Sequence, residues 1–152
     1  MKVALCQINT IVGSLEYNYE KILKFYNRSI KLNADIIVFP ELSTTGYPPQ
    51  DLLMNNEFIN ENLSVLNKIA KKSSKPIIIG YVRADEKNIY NSAAICFDGK
   101  IQSSHDKVLL PTYDVFDEER YFTSGIKPKV SIIPFGESEL NIGLQICEDL
   151  WD

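Results

Sequence analysis

The chain has 152 residues, 45% hydrophobic and 24% charged, with a formal net charge of −4; that is enough apolar material for one domain core, and the acidic balance argues against a nucleic-acid or anionic-membrane surface, which needs clustered Lys and Arg. Its three cysteines, Cys6, Cys96 and Cys147, are odd in number and widely spaced, which fits neither a disulfide framework nor paired zinc knuckles and points to a reducing, cytoplasmic setting. The opening MKVALCQIN is too short an apolar run for a signal peptide, and no segment reaches the ~18 apolar residues of a membrane span.

Val3 to Ile8 is mostly apolar without clean alternation, the pattern of a strand covered on both faces, with Cys6 as inert core. After a turn at Gly13 and Ser14, the residues Tyr19, Ile22, Leu23, Tyr26 and Ile30 share one face of an amphipathic helix, and Asn33 is its expected stop. Asp35 to Phe39 reads as a second buried strand ended by Pro40, which places Glu41 just beyond a strand end. The stretch TTGYPPQ, Thr44 to Gln50, has the glycine and prolines of a shaped, rigid loop. A second helix is expected from about Asn56 to Lys72, with Ile59, Leu63, Leu66 and Ala70 on its apolar face, followed by a strand over Pro76 to Tyr81.

Asn91 to Phe97 and Lys100 to Ser104 form a predicted hairpin, because Asp98-Gly99 supplies the positive φ of a type I′ turn. Lys107 follows it. The segment from there to Gly125 mixes aromatics and acids with no period, and reads as a long functional loop. Val130 to Ile133 and Leu140 to Ile146 are the last predicted strands, and the second presents Cys147 at its tip. The order βαβαβ followed by hairpins indicates an α/β layered fold with helices covering a sheet.

A thiol of ordinary pKa, about 8.5, is mostly protonated at neutral pH, so a reactive cysteine needs a base or a cation beside it. The chain offers one residue of each kind at a strand or hairpin end: Glu41 in VFPE, Lys107 in HDK and Cys147 in LQIC. Their order and spacing resemble the nitrilase superfamily of carbon–nitrogen hydrolases, over the whole chain from Val3 to Asp152. Within it, VFPELSTTGYPPQDLL, KVLLPTYDVFDEERYF and ICEDLWD are similar to the N-terminal glutaminase domain of the glutamine-dependent NAD synthetases.

The resemblance implies an α-β-β-α sandwich and a Glu-Lys-Cys triad, with Glu41 as general base, Lys107 as oxyanion stabiliser and Cys147 as nucleophile. Glu118 matches the family's second glutamate, with a one-residue slip to Glu119 as the alternative. Tyr113, Phe116 and Glu148 fall where that group contacts glutamine. The implied reaction hydrolyses the glutamine side-chain amide through a cysteine thioester and supplies ammonia to a downstream NAD synthetase domain for ATP-dependent NAD formation. No cofactor is expected for the glutaminase step, and ATP and Mg only in the downstream domain. A homo-oligomer is expected, since this superfamily associates through its sandwich faces. Residues 1–152 are expected to be one nitrilase-like domain that is incomplete at its C-terminus, because the chain ends shortly after Cys147.

The residue chemistry agrees with these roles. A carboxylate can take the thiol proton and pass it to departing ammonia. A lysine favours the thiolate and then binds the oxyanion, together with the N–H of Glu148. The charge of Glu148 suits the α-ammonium of glutamine, whereas a simple nitrile offers it nothing to bind. Singly, each residue has a plainer reading as core thiol, loop acid or solvated charge. His105, the one histidine, has no spaced cysteine partner and is assigned a surface or strand-end role; no metal site is expected. The alternatives are a stand-alone amidase or ω-amidase of the same superfamily, and an inactive truncated fragment that serves as an interaction unit.

Overall fold

The computed structural model describes residues 1–128 and 130–151. Strand β1 (Val3–Leu5), helix α1 (Leu15–Lys31), β2 (Ile36–Val38), α2 (Asn56–Lys72) and β3 (Ile77–Ala84) are followed by β4 (Ile89–Phe97) and β5 (Lys100–Asp106). These strands form one five-stranded sheet in sequence order, with β1, β2 and β3 parallel and β3, β4 and β5 an antiparallel meander. The turn between β4 and β5 has positive φ at both Asp98 and Gly99, 51° and 73°, as its dipeptide predicts. A two-stranded ribbon, β6 (Val130–Phe135) and β7 (Ser138–Gly143), completes the described fold.

Period-two alternation sends the residues of β3 and β4 to two different cores. Ile77, Ile79, Ala94 and Cys96 meet Ile22 and Tyr26 of α1 and Leu66 and Ile69 of α2. Ile78, Ala93 and Ile95 point the other way, onto Ile133 and Leu140 of the ribbon and onto Leu144 and Ile146 beyond it. The result is helices, sheet and ribbon, three of the four layers of the expected sandwich; a second helical layer is not among the described residues. Both helices have the expected extents. Asn33, at φ 57°, follows the end of α1 in the left-handed conformation that asparagine tolerates. Asn55 caps α2, its side chain accepting from the N–H groups of Glu57 and Phe58 at 2.8 and 3.4 Å.

Each helix also buries one asparagine that the apolar pattern hides. Asn18 of α1 donates to the carbonyls of Ile11 and Thr44 and accepts from the Ile11 N–H. Asn62 of α2 accepts from the Thr44 hydroxyl at 2.7 Å and donates to the Val82 carbonyl at 2.6 Å. Thr44 is therefore tied to both helices, and its N–H to the Gly80 carbonyl of β3. The loop that starts at Glu41 is set in place by these bonds.

Two expectations are corrected. β1 is covered on one face only: Val3 and Leu5 are exposed, because the ribbon lies over β3 and β4 and leaves the edge strand bare on that side. The strand expected over Leu140 to Ile146 stops pairing at Gly143. Leu144 and Ile146 are nevertheless buried against Ala93 and Ile95, so the apolar run reflects burial without a ladder. Cys147 thus opens a single-turn helix, Cys147–Leu150, and does not sit on a strand tip.

Gly80 lets the Glu41 loop lie on the sheet. A methyl group there would come within 2.6 Å of the Glu41 Cα and carbonyl carbon, so Gly80→Ala must push Glu41 away or strain the sheet. Denaturant unfolding should show a loss of ~1–3 kcal/mol, the usual cost of overpacking. Gly143→Ala meets nothing within 4 Å and should stay within about 0.5 kcal/mol of the parent.

Candidate active site

Lys107 is the centre of the site. It follows β5, its N–H donates to the Asn91 carbonyl and its own carbonyl accepts from Gly125 N–H, both at 2.8 Å. The side chain is fully buried. Its Nζ lies 2.8 Å from Glu41 Oε1 and 3.0 and 2.9 Å from the two oxygens of Glu118. Burial alone would lower the lysine pKa, but the charges and hydrogen bonds of Glu41 and Glu118 outweigh it and raise it, so the ammonium stays charged.

The two carboxylates share further donors. Asn91 Nδ2 is 2.6 Å from Glu41 Oε1 and 3.4 Å from Glu118 Oε2, and the Tyr47 hydroxyl donates to Glu118 Oε1 at 3.0 Å. Burial and then the charge of Glu118 push the Tyr47 pKa up, so it remains a donor. Glu118 is buried while Glu119 is exposed; the carboxylate on Lys107 is that of Glu118. Asn91 Oδ1 is buried and has no partner among the described residues.

Cys147 is exposed and has φ 50°, a left-handed conformation. With Glu41 it lines a cleft of about 170 Å³ whose other walls include Phe39, Ile78, Ala93 and Ile146. Its thiol is held above its ordinary pKa: partial burial contributes most, then the charge of Glu41, with Glu118 and Glu148 adding to it and Lys107 acting the other way. Lys107 favours the thiolate, as expected, but partial burial and the carboxylates together outweigh it. The remaining cysteines are buried, and burial pushes the Cys96 pKa up to about 12.

The three residues expected to contact substrate lie together. The Tyr113 hydroxyl donates to Glu148 Oε2 at 2.8 Å, and the rings of Tyr113 and Phe116 meet edge to face, centroids 5.7 Å apart. Tyr113 and Glu148 border a surface cleft of about 420 Å³ that also holds Glu119 and Trp151. The Glu148 N–H has no partner among the described residues, as befits the first turn of a helix.

His105 is not at the surface. It is the penultimate residue of β5, is 2% exposed, and its Nε2 lies 3.1 Å from Asp149 Oδ2. Sequence reading also missed Tyr47, Asn91 and Asp149. The signal available for Asn91 was the polar pair Asn91-Ser92 inside an otherwise apolar strand run; for Tyr47 it was the shaped loop. Among the described residues no group of three or more His, Cys, Asp or Glu side chains is placed to hold a metal ion, and no helix is long and apolar enough to cross a membrane.

Residues 2–151 match the carbon-nitrogen hydrolase family. The chain is 36% identical to the glutamine-dependent NAD(+) synthetase of Thermotoga maritima, covering 100% of this chain and 26% of that protein. It is 39% identical to the enzyme of the same name from Synechocystis sp., covering 99% of this chain and 28% of that protein. The fold superposes on the glutamine-dependent NAD+ synthetase of Acinetobacter baumannii, solved with adenosine diphosphate, with a TM-score of 0.89 at 35% identity over 98% of this chain and 28% of that one. An amidase from Nesterenkonia sp. shares the fold, with a TM-score of 0.77 at 22% identity over 93% of this chain and 54% of that one. The chain therefore spans little more than a quarter of the NAD synthetases it matches, and its α/β fold is of the nitrilase type.

The charges around Cys147 have a testable consequence. Glu41→Gln removes the carboxylate that most opposes thiolate formation, so iodoacetamide should alkylate Cys147 several-fold faster at pH 8 in this variant than in the parent, read by peptide mass spectrometry. Cys6 and Cys96 should stay unlabelled in the folded protein. Slower labelling of the variant would show that Glu41 draws the proton off even without substrate.

Proposed function

The chain belongs to the carbon-nitrogen hydrolase family, and from that membership we propose that it hydrolyses the side-chain amide of glutamine through a thioester on Cys147. The observation that carries the reading is the buried Lys107 ammonium held between Glu41 and Glu118 beside the exposed Cys147. Glutamine is favoured over other amides because the relatives described above are glutamine-dependent enzymes, and because Glu148, the residue after Cys147 in the chain, borders an adjoining surface cleft with Tyr113 and offers a carboxylate to an α-ammonium.

In the proposed reaction Glu41 accepts the Cys147 proton as sulfur attacks the amide carbon, so no free thiolate accumulates. Negative charge moves to the carbonyl oxygen, where the Lys107 ammonium and the Glu148 N–H stabilise it; one such donor is worth ~2.7–4 kcal/mol. The intermediate collapses by breaking the C–N bond, and Glu41 returns its proton to the leaving nitrogen, which departs as ammonia. Water, deprotonated by Glu41, then adds to the thioester, and collapse returns the proton to sulfur and releases glutamate. Glu118 does not exchange protons in this scheme; with Tyr47 and Asn91 it keeps Lys107 in place.

The ammonia is proposed to feed an NAD synthetase unit of the same protein, where ATP and Mg would act on deamido-NAD. In a protein carrying both units, Cys147→Ala should abolish glutamine-dependent NAD formation and leave ammonia-dependent formation intact. Glutamate release by the alanine variant would end the Cys147 assignment.

Glutamine should also be preferred over propionamide and asparagine in kcat/KM. Equal turnover of short aliphatic amides would favour the stand-alone amidase. Glu148→Gln should raise KM for glutamine roughly tenfold with a smaller change in kcat, since a charged partner for the ammonium is lost.

A further inference from the structure

We propose that Asp149 is a positioning residue: its carboxylate clamps the turn that carries Cys147 to the loop that carries Lys107. The turn has little else to hold it. Strand pairing ends at Gly143. Among the described residues, the hydrogen bonds that join residues 145–151 to the remainder of the protein come from the Asp149 side chain and from the exposed Tyr113–Glu148 pair. Leu144 and Ile146 add apolar burial, which is non-directional and sets depth more than orientation.

Asp149 supplies the direction. Oδ1 accepts the consecutive N–H groups of Val108 and Leu109, each at 2.9 Å, which immediately follow Lys107. Oδ2 accepts the Ile146 N–H at 3.0 Å, immediately before Cys147, and faces His105 Nε2 at 3.1 Å. An ionised carboxylate is acceptor-only with about four lone-pair directions, and all are used here. His105 Nε2 must therefore carry the proton in this pair. Burial on its own would raise the Asp149 pKa, but the Leu109 N–H, His105, and the N–H groups of Ile146 and Val108 overcome it, and the carboxyl sits below the usual carboxylate range.

The placement of these bonds points to alignment. They end on the residues that flank the lysine and the cysteine in the chain. Cys147 is itself held at φ 50°, a backbone conformation that an L-residue with a side chain rarely adopts without surrounding constraint. The clamp transmits that constraint from β5, through His105 and the Val108-Leu109 amides, to the nucleophile. Lys107 has its own anchors in Asn91, Gly125 and the two glutamates, so loss of the clamp moves the cysteine relative to a stationary lysine.

The role rests on Cys147 being the nucleophile, and the test separates the two. Asp149→Asn keeps the size of the side chain but turns one acceptor into a donor that faces a backbone N–H. The expected result, in the protein assayed with glutamine, is a fall in kcat of ~10²-fold, the cost of misplacing a reacting group by about an ångström, with KM within about threefold. The dependence of Cys147 alkylation on pH should move as well, because the thiol leaves the field of Glu41 and Lys107. A purely structural role would lower the melting temperature and leave kcat per folded site and the alkylation profile unchanged, and that outcome overturns the proposal. If Asp149→Asn does not fold, His105→Leu removes one donor and leaves the backbone bonds. A lowered kcat at constant KM then supports the clamp, and an unchanged kcat overturns it. Absence of glutamine hydrolysis in the parent would sink the proposed function instead, and the alkylation profiles of parent and variant would still decide the clamp.

Discussion

The site depends on one buried charge. An ammonium removed from water is sustained only by close, well-aligned partners, and Lys107 has two carboxylates within 3.0 Å. One positive charge between two negative ones leaves a negative excess near Cys147, which adds to partial burial in holding the thiol above its ordinary pKa. The same arrangement changes character during the proposed reaction. When Glu41 takes the sulfur proton it becomes neutral, Lys107 loses one partner, and the oxyanion that forms can take its place. Total charge in the cleft stays constant while its location shifts from carboxylate to oxyanion, so little reorganisation is asked of the surroundings.

The scaffold serves this charge by fixing backbone. Glu41 begins a loop tied to both helices through Asn18 and Asn62 and laid on the sheet at Gly80. Lys107 leaves β5 paired to the Asn91 carbonyl of β4, and the Asn91 side chain reaches the two glutamates. Neighbouring strands therefore set the spacing between the lysine and its partners. Glu41 and Lys107 follow strands of the five-stranded sheet, whereas Cys147 arrives from the ribbon on the far face.

What could be read from the sequence follows from how far each signal extends. The two helices and the Asp98-Gly99 turn are governed by neighbours in the chain, and they were legible; the central strands were found but read short, since β3 runs on to Ala84 and β5 to Asp106. Glu41 and Cys147 stood out because each follows an apolar run, and Lys107 because it follows the predicted hairpin. The polar framework was not: Asn91 meets Glu41 across 50 residues and Asp149 meets Leu109 across 40, and no local pattern announces partners that distant. His105 looked like a strand-end or surface residue because a lone histidine carries no spacing; its burial follows from Asp149, which itself looked like one acid among several in CEDLWD. The final strand was overextended for a related reason, since Leu144 and Ile146 are apolar to fill the space over Ala93 and Ile95 and not to pair.

The raised thiol pKa also bears on how an exposed thiol is kept from reacting at random. Alkylation and oxidation proceed through the thiolate, and partial burial together with the charges of Glu41, Glu118 and Glu148 disfavours that form at Cys147 even though solvent reaches it. An adventitious electrophile that offers no oxyanion to Lys107 meets a neutral thiol. In the proposed reaction an amide carbonyl seated against Lys107 changes the balance, because the charge that develops on its oxygen is stabilised as the proton passes to Glu41, and reactivity is thereby coupled to occupancy of the site. The arrangement works only while the sulfur stays within reach of both Glu41 and Lys107, which is why the backbone bonds flanking Cys147 matter as much to its chemistry as the charges around it.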